Sequence, residues 1–262
     1  MGRLEEKVAI ITGAAAGMGR LGALRFAEEG ARVVVADLAA DEVESCVSEV
    51  RAGGGDAIGV VVDVRDPAAV EAMVRTAVDR YGRLDVLYNN AGVSPRDDDT
   101  PETTSVETWD LTFAVNVKGV FLCCKYAIPA MLASGRSGGG ASIVNVASFV
   151  GHMGAATPQL AYTSSKGAVV AMTREIAAIY ARQGIRANAL CPGPVLTPLL
   201  SKFLSDDAKR QRRLVHIPMG RFGEAIEMVN GALFLASDES SYMTGQSLLI
   251  DGGITSTYTT PE

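Results

Sequence analysis

Runs of β-branched apolar residues without polar alternation, such as Val33-Val34-Val35 and Val60-Val61-Val62, limit what this chain can fold into more than any other feature. A strand with one wet face alternates apolar and polar residues. A strand apolar at every position is covered on both sides, which is the condition of a parallel sheet sandwiched between helices. Seven segments read as strands: Val8–Thr12, Arg32–Asp37, Ile58–Asp63, Asp85–Asn89, Ser142–Ala147, Ile185–Leu190 and Ser247–Ile250. Between them, helical periodicity predicts helices over Gly17–Glu29, Asp41–Ala52, Pro67–Tyr81, Val106–Leu132, Ala161–Arg182 and Glu224–Ser237. Pro67, directly after Asp66, suits a first helical turn. The order is βαβ repetition, and it predicts a doubly wound α/β fold with a seven-stranded parallel sheet flanked by helices on both faces.

Nothing in the 262 residues asks for a second domain, so residues 1–262 are expected to form one. Two stretches interrupt the rhythm. Ser134–Gly140 is a small-residue loop, and Pro192–Ile217 holds three prolines followed by the charged run Asp206–Arg213. Residues 194–217 read as a lid over a site. A formal charge of −6, with 48% apolar and 21% charged residues, is ordinary soluble composition and argues against a nucleic-acid partner. Cys46, Cys123, Cys124 and Cys191 show no CxxC spacing and read as reduced thiols. His152 and His216 lie far apart, so no metal is expected. Met1 to Val8 lacks the apolar stretch of a signal peptide, and no uninterrupted apolar run nears the roughly 18 residues that cross a bilayer. The expectation is a cytoplasmic protein with no membrane partner.

After the first strand comes Thr12-Gly13-Ala14-Ala15-Ala16-Gly17-Met18-Gly19. Small residues between a strand and a helix let the backbone turn tightly and bring a pyrophosphate onto the helix N-terminus, where N–H groups and the dipole favour anions. Asp37 ends the next strand, about twenty residues on, where a carboxylate accepts from both adenosine ribose hydroxyls and repels a 2′-phosphate. Neither Ala16 nor Leu38 is basic, so the expected cofactor is NAD rather than NADP. Capping of the following turn is the plainer reading of Asp37. Asp63-Val64 is expected beside the adenine, with Asp63 accepting from its amino group; capping explains Asp63 equally well.

Tyr162 and Lys166, four apart on a predicted helix, share one face a turn from each other. A pair of surface residues is the bland alternative. Together, Thr12–Gly19, Asn89-Asn90-Ala91-Gly92, Asn116, Ser148, Tyr162–Lys166, Pro192-Gly193 and the terminal Thr244-Gly245-Gln246 and Asp251-Gly252-Gly253 resemble the classical short-chain dehydrogenase/reductase family, over nearly the whole chain and in the family's order. The resemblance implies a Rossmann fold. It also implies that Tyr162 is the general acid/base, Lys166 lowers the phenol's pKa and holds the nicotinamide ribose, and Ser148 binds the substrate oxygen. Asn116 would hold a relay water. Gly13, Gly17, Met18, Gly19, Asp37, Leu38, Asn90, Ala91 and Gly92 would line the cofactor, with Pro192, Gly193, Val195 and Thr197 at its carboxamide end. The interval from Ser148 to Tyr162 is about one residue longer than the family's, which would reshape the substrate pocket. Phe149, Val150, His152 and Gln159 are candidate substrate contacts, packing being an equally good reading of each.

The activity so implied is NAD-linked interconversion of a secondary alcohol, cyclic or polyol, with a ketone. A 3-oxoacyl thioester reductase is the alternative, disfavoured by Asp37 because such enzymes usually take NADPH. A non-catalytic dinucleotide-binding regulator is a second alternative. Gly135-Arg136-Ser137-Gly138-Gly139 satisfies GxSxG, yet it follows a helix and precedes a strand, the reverse of a nucleophile elbow. Apolar residues beyond what one sheet face needs, on the helices carrying Asn116 and Tyr162, predict subunit contacts in a homotetramer.

Overall fold

The computed structural model describes residues 2–135, 140–196 and 206–258. Its seven strands are β1 (Val8–Thr12), β2 (Arg32–Asp37), β3 (Asp56–Val61), β4 (Val86–Asn89), β5 (Ala141–Val146), β6 (Ile185–Pro192) and β7 (Ser247–Ile250). All pair in parallel, in the order β3-β2-β1-β4-β5-β6-β7. The eight helices among the described residues are α1 (Gly17–Glu28), α2 (Ala40–Ala52), α3 (Pro67–Tyr81), α4 (Val106–Phe113), α5 (Val120–Ala133), α6 (Leu160–Tyr180), α7 (Asp207–Leu214) and α8 (Ala225–Ala236).

Strand pleating sends alternate residues into two cores. Val8, Ile10 and Val34 point to one side, where Val70 and Met73 of α3, Leu122 and Cys123 of α5 and Val169 of α6 cover them. Ala9, Ile11, Val33 and Val35 point to the other, against Phe26 of α1, Val47 of α2 and Leu233 of α8. This double cover is what the Val33-Val34-Val35 run required; Val60-Val61-Val62 does not share it, because β3 is an edge strand and leaves Val61 58% exposed. Strand order reverses between β1 and β4, so their carboxyl ends splay apart around a crevice, the place where open α/β sheets bind ligands.

Three elements differ from the sequence expectation. β3 lies two residues earlier than predicted, because Arg32 of β2 pairs with Asp56 and Asp37 with Val61; Asp63 therefore falls in the turn beyond the strand. The predicted Val106–Leu132 helix is interrupted at Ala114–Gly119 by a π-helical turn, a form frequent at functional sites. The charged run Asp206–Arg213 contributes to α7, where no helix was predicted. The stretch Val106–Ala133 has the length and hydropathy of a bilayer-crossing helix, with half of its most apolar part buried inside the protein. Pro67 opens the first turn of α3 as expected, and Asp66 caps it, its side chain accepting from Ala68 N–H at 2.9 Å.

Candidate active site

The predicted loops converge at the carboxyl ends of the strands. α1 starts at Gly17 behind Ala16, which provides no side-chain cap. Gly17 has φ 54°, and a Cβ there would meet nothing within 4 Å, so the backbone borders open space; a Cβ at Gly19 would lie 2.1 Å from the Gly13 carbonyl oxygen. Only glycine allows that turn. An uncapped helix N-terminus opening onto space suits a dinucleotide's phosphates.

Asp37 ties β2 to this loop. One carboxylate oxygen accepts from Ala15 N–H at 3.0 Å; the other accepts from Leu38 N–H at 2.7 Å and more weakly from Ala39 N–H at 3.4 Å. Leu38 is 61% exposed at the crevice rim. Asp63 forms a forked ion pair with Arg65, at 3.0 and 2.9 Å from Nε and 2.6 Å from Nη2, and accepts from its backbone N–H. That guanidinium holds the Asp63 carboxyl below its ordinary range. The capping reading of Asp63 thus has its partner, while Val64 packs into the core against Gly119.

Thr12 opens the glycine motif, but the sequence assigned it no role of its own. Its hydroxyl accepts from both Asn90 N–H and Ala91 N–H at 3.1 Å, and the Asn90 amide donates to the Thr12 and Gly13 carbonyls. The loop after β4 is thereby fastened to the glycine loop. A Cβ on Gly92 would sit 3.3 Å from Asn116 Oδ1 and 3.5 Å from Lys166 Nζ, so these groups crowd one spot. Asn116, inside the π-helical turn, accepts from Val93 N–H at 2.8 Å and donates to Val93 C=O at 2.9 Å and to Ser165 Oγ at 3.0 Å. Every bond it makes holds backbone or helix in place. Ser165 in turn donates to the Tyr162 carbonyl at 2.7 Å.

Tyr162 and Lys166 lie on the first two turns of α6. Lys166 Nζ sits 5.5 Å from the centre of the Tyr162 ring and donates to the Val146 carbonyl at 2.8 Å. Burial pushes the ammonium down to about 8. Burial also raises the Tyr162 phenol, and a hydrogen bond with Ser148 pulls it back down. Ser148, just past β5, begins a 3₁₀ turn over Phe149–Gly151. Val150 there is buried, whereas Phe149, His152 and Gln159 keep exposed surface. His152 Nε2 is 3.6 Å from Cys191 Sγ. That thiol is a second unforeseen neighbour of the site; burial lifts it to about 11, and Lys166 counters the rise.

Beyond β6, Gly193 N–H donates to Ile250 C=O at 2.9 Å, and Val195 bridges to Gly223. Thr197 and the GxSxG residues Arg136–Gly139 lie outside the described residues, as do 197–205 of the predicted lid. The C-terminal end of that segment is anchored: Ile217 packs with Phe222, Leu214 and Ile254, and just beyond it Met219 N–H donates to Gly252 C=O. Among the described residues no three His, Cys, Asp or Glu side chains gather as a metal site would need.

A switch-point crevice that joins a glycine loop at a helix N-terminus to a half-buried tyrosine and a buried lysine and serine defines a nucleotide-dependent oxidoreductase of the doubly wound class. A family model described as enoyl-(acyl carrier protein) reductase matches residues 13–255. The chain is 41% identical over 251 residues to 2,5-dichloro-2,5-cyclohexadiene-1,4-diol dehydrogenase LinX of Sphingobium indicum, covering 96% of this chain and 97% of the relative. It is 42% identical over 253 residues to 3-oxoacyl-[acyl-carrier-protein] reductase FabG of Thermotoga maritima, covering 96% and 99%. A crystal structure described as a candidate short-chain dehydrogenase/reductase from Burkholderia xenovorans superimposes with a TM-score of 0.90 at 36% identity, covering 98% of this chain and all of that one. The chain belongs to the short-chain dehydrogenase/reductase family, whose members bind nicotinamide dinucleotides.

Proposed function

We propose that this chain is a cytoplasmic, NAD-dependent dehydrogenase that interconverts a secondary alcohol and a ketone. The carrying observation is that Lys166 Nζ lies 5.5 Å from the centre of the Tyr162 ring on the first two turns of α6, with Ser148 hydrogen-bonded to the phenol. The glycine loop would hold the pyrophosphate, Asp37 the adenosine ribose, Lys166 the nicotinamide ribose, and residues 90–92 and 192–195 the faces of the bound dinucleotide; Asp63 reaches the adenine only by sharing its Arg65 pair. When bound, the nicotinamide supplies the hydride acceptor or donor. In oxidation, the Tyr162 phenolate takes the substrate hydroxyl proton while the Ser148 hydroxyl donates to the same oxygen as charge develops on it. Lys166, with its pKa near 8, is mostly protonated at neutral pH and lowers the cost of the phenolate. In reduction, the same phenol returns the proton.

The pH dependence follows with its sign. Oxidation needs Tyr162 deprotonated, and burial makes that difficult, so kcat/KM for alcohol oxidation rises from neutral toward alkaline pH, while ketone reduction falls over the same range. The test is NAD-linked turnover of a panel of cyclic and polyol secondary alcohols across pH; a profile that climbs toward acid contradicts the assignment. The identity to the Thermotoga maritima reductase favours a second reading, reduction of a 3-oxoacyl thioester, which NADPH-linked turnover of such a thioester in preference to NAD-linked alcohol oxidation would establish.

Exposed apolar residues support the homotetramer. Val106 (70% exposed), Leu111, Phe121 (50%) and Leu132 on α4 and α5, with Ile179 on α6, leave apolar side chains exposed on three helices beside the site. Light scattering at micromolar concentration is expected to give a tetramer mass; a monomer mass contradicts it.

A further inference from the structure

Asp97-Asp98-Asp99 lies on the loop between β4 and α4, far in sequence from Tyr162. Asp98 is only 6% exposed, unusual for a loop carboxylate. Its Oδ1 accepts from Ala161 N–H at 2.9 Å and its Oδ2 from Tyr162 N–H at 2.8 Å, across 63 residues in the first case. Asp99 C=O accepts from Leu160 N–H at 3.2 Å. The first N–H groups of a helix have no partner within it, and Gln159, at the cap position of α6, provides no side-chain bond to them. The cap is thus supplied from another element, and a carboxylate is the best acceptor for it because it also meets the positive end of the helix dipole.

The same loop is fixed at its other end. Asn116 clamps both polar groups of Val93, and Gly92 abuts Lys166. Asp97 accepts from Thr108 Oγ1, which ties the loop to α4. Residues 92–99 therefore run as one strut from the lysine to the backbone N–H of the tyrosine. We propose that Asp98 is a positioning residue for the reaction: by capping α6 from outside, it sets the place of the Tyr162 hydroxyl against Ser148. A frayed first turn would let the phenol drift, and a shift of about 1 Å in a reacting group costs on the order of 100-fold in rate.

The inference rests on the dehydrogenase reading, so the test has two arms on the full-length protein. In the first, Asp98→Ala is expected to lower kcat by roughly 10- to 100-fold with KM and NADH affinity changed less than about threefold. Asp98→Asn, whose carbonyl replaces only one of the two acceptor oxygens, is expected to fall between it and wild type. Arg83→Ala, which removes the Arg83–Asp85 pair at the opposite end of the sheet, serves as the reference for destabilisation alone and keeps its kcat. In the second arm, hydrogen exchange at the Ala161 and Tyr162 amides speeds up in both Asp98 variants, while the Thr173 amide farther along α6 is unchanged. Wild-type kcat in Asp98→Ala, or a kcat loss matched by Arg83→Ala at equal loss of thermal stability, overturns the proposal. Unchanged exchange at 161–162 overturns it whatever the turnover. A wild type that oxidises no alcohol instead overturns the dehydrogenase reading, and the exchange arm still decides whether Asp98 holds that turn.

Discussion

Replacing Tyr162 with Phe is expected to lower turnover by roughly 10²- to 10⁴-fold while NADH binding stays within about twofold of wild type. The substitution removes one oxygen and leaves the ring, so the packing of α6 and the position of Lys166 beside the ring persist. What disappears is the hydroxyl that hydrogen-bonds Ser148. Lys166 cannot take over the proton. Its Nζ is held by the Val146 carbonyl and lies 5.5 Å from the centre of the residue-162 ring. Steady-state turnover on whichever alcohol wild type oxidises, paired with a fluorescence titration of NADH, separates the outcomes. Retained turnover would move the acid/base role to another residue, whereas loss of NADH binding along with turnover would show only that the crevice had collapsed.

The Tyr162–Lys166 pair was legible in the sequence because its geometry is local: four residues on a helix place two side chains on one face whatever surrounds them. The same holds for the glycine loop, since a tight strand-to-helix turn with close backbone approach leaves few residue choices at Gly19. Strand positions came within about two residues because burial on both sheet faces writes itself into composition. β3 slipped because its valine run continues past Val61, its last paired residue, so hydropathy and pairing end at different places. α7 went unread because its polar, arginine-rich sequence has no apolar stripe to reveal a period. Thr12 and Asp98 were opaque for a deeper reason. Their partners lie 78 and 63 residues away, and a threonine ending a strand or an aspartate in an acidic loop carries no local mark of the backbone groups it will hold. Asn116 was found by resemblance, but the π-helical turn that aims it leaves no periodic signal.

The choice between the two nicotinamide cofactors turns on Asp37. A carboxylate offers about four acceptor positions. Three are engaged by Ala15, Leu38 and Ala39, the last weakly, so the oxygen that faces the glycine loop keeps capacity for a ribose hydroxyl. A 2′-phosphate at that place would meet a fixed negative charge. No basic side chain at Ala16 or Leu38 offsets it, and Arg20 of α1 is committed to Glu49 and Ser45. Hydrogen bonds to a charged group contribute about 1.5–3 kcal/mol, which at about 1.4 kcal/mol per decade is roughly 10- to 100-fold in affinity. Wild type is therefore expected to bind NADH tighter than NADPH by at least that factor, and Asp37→Ala to lose the preference. Because alanine also releases the Ala15 N–H, weaker NADH binding alone could reflect a disturbed loop. Asp37→Asn separates the causes: its carbonyl can still hold Ala15 while the charge is gone, so NADPH binding should improve even though the loop is intact. If wild type binds both nucleotides equally, or if Asp37→Asn leaves NADPH binding unchanged, the carboxylate is only the cap of its turn and the thioester-reductase reading gains the advantage.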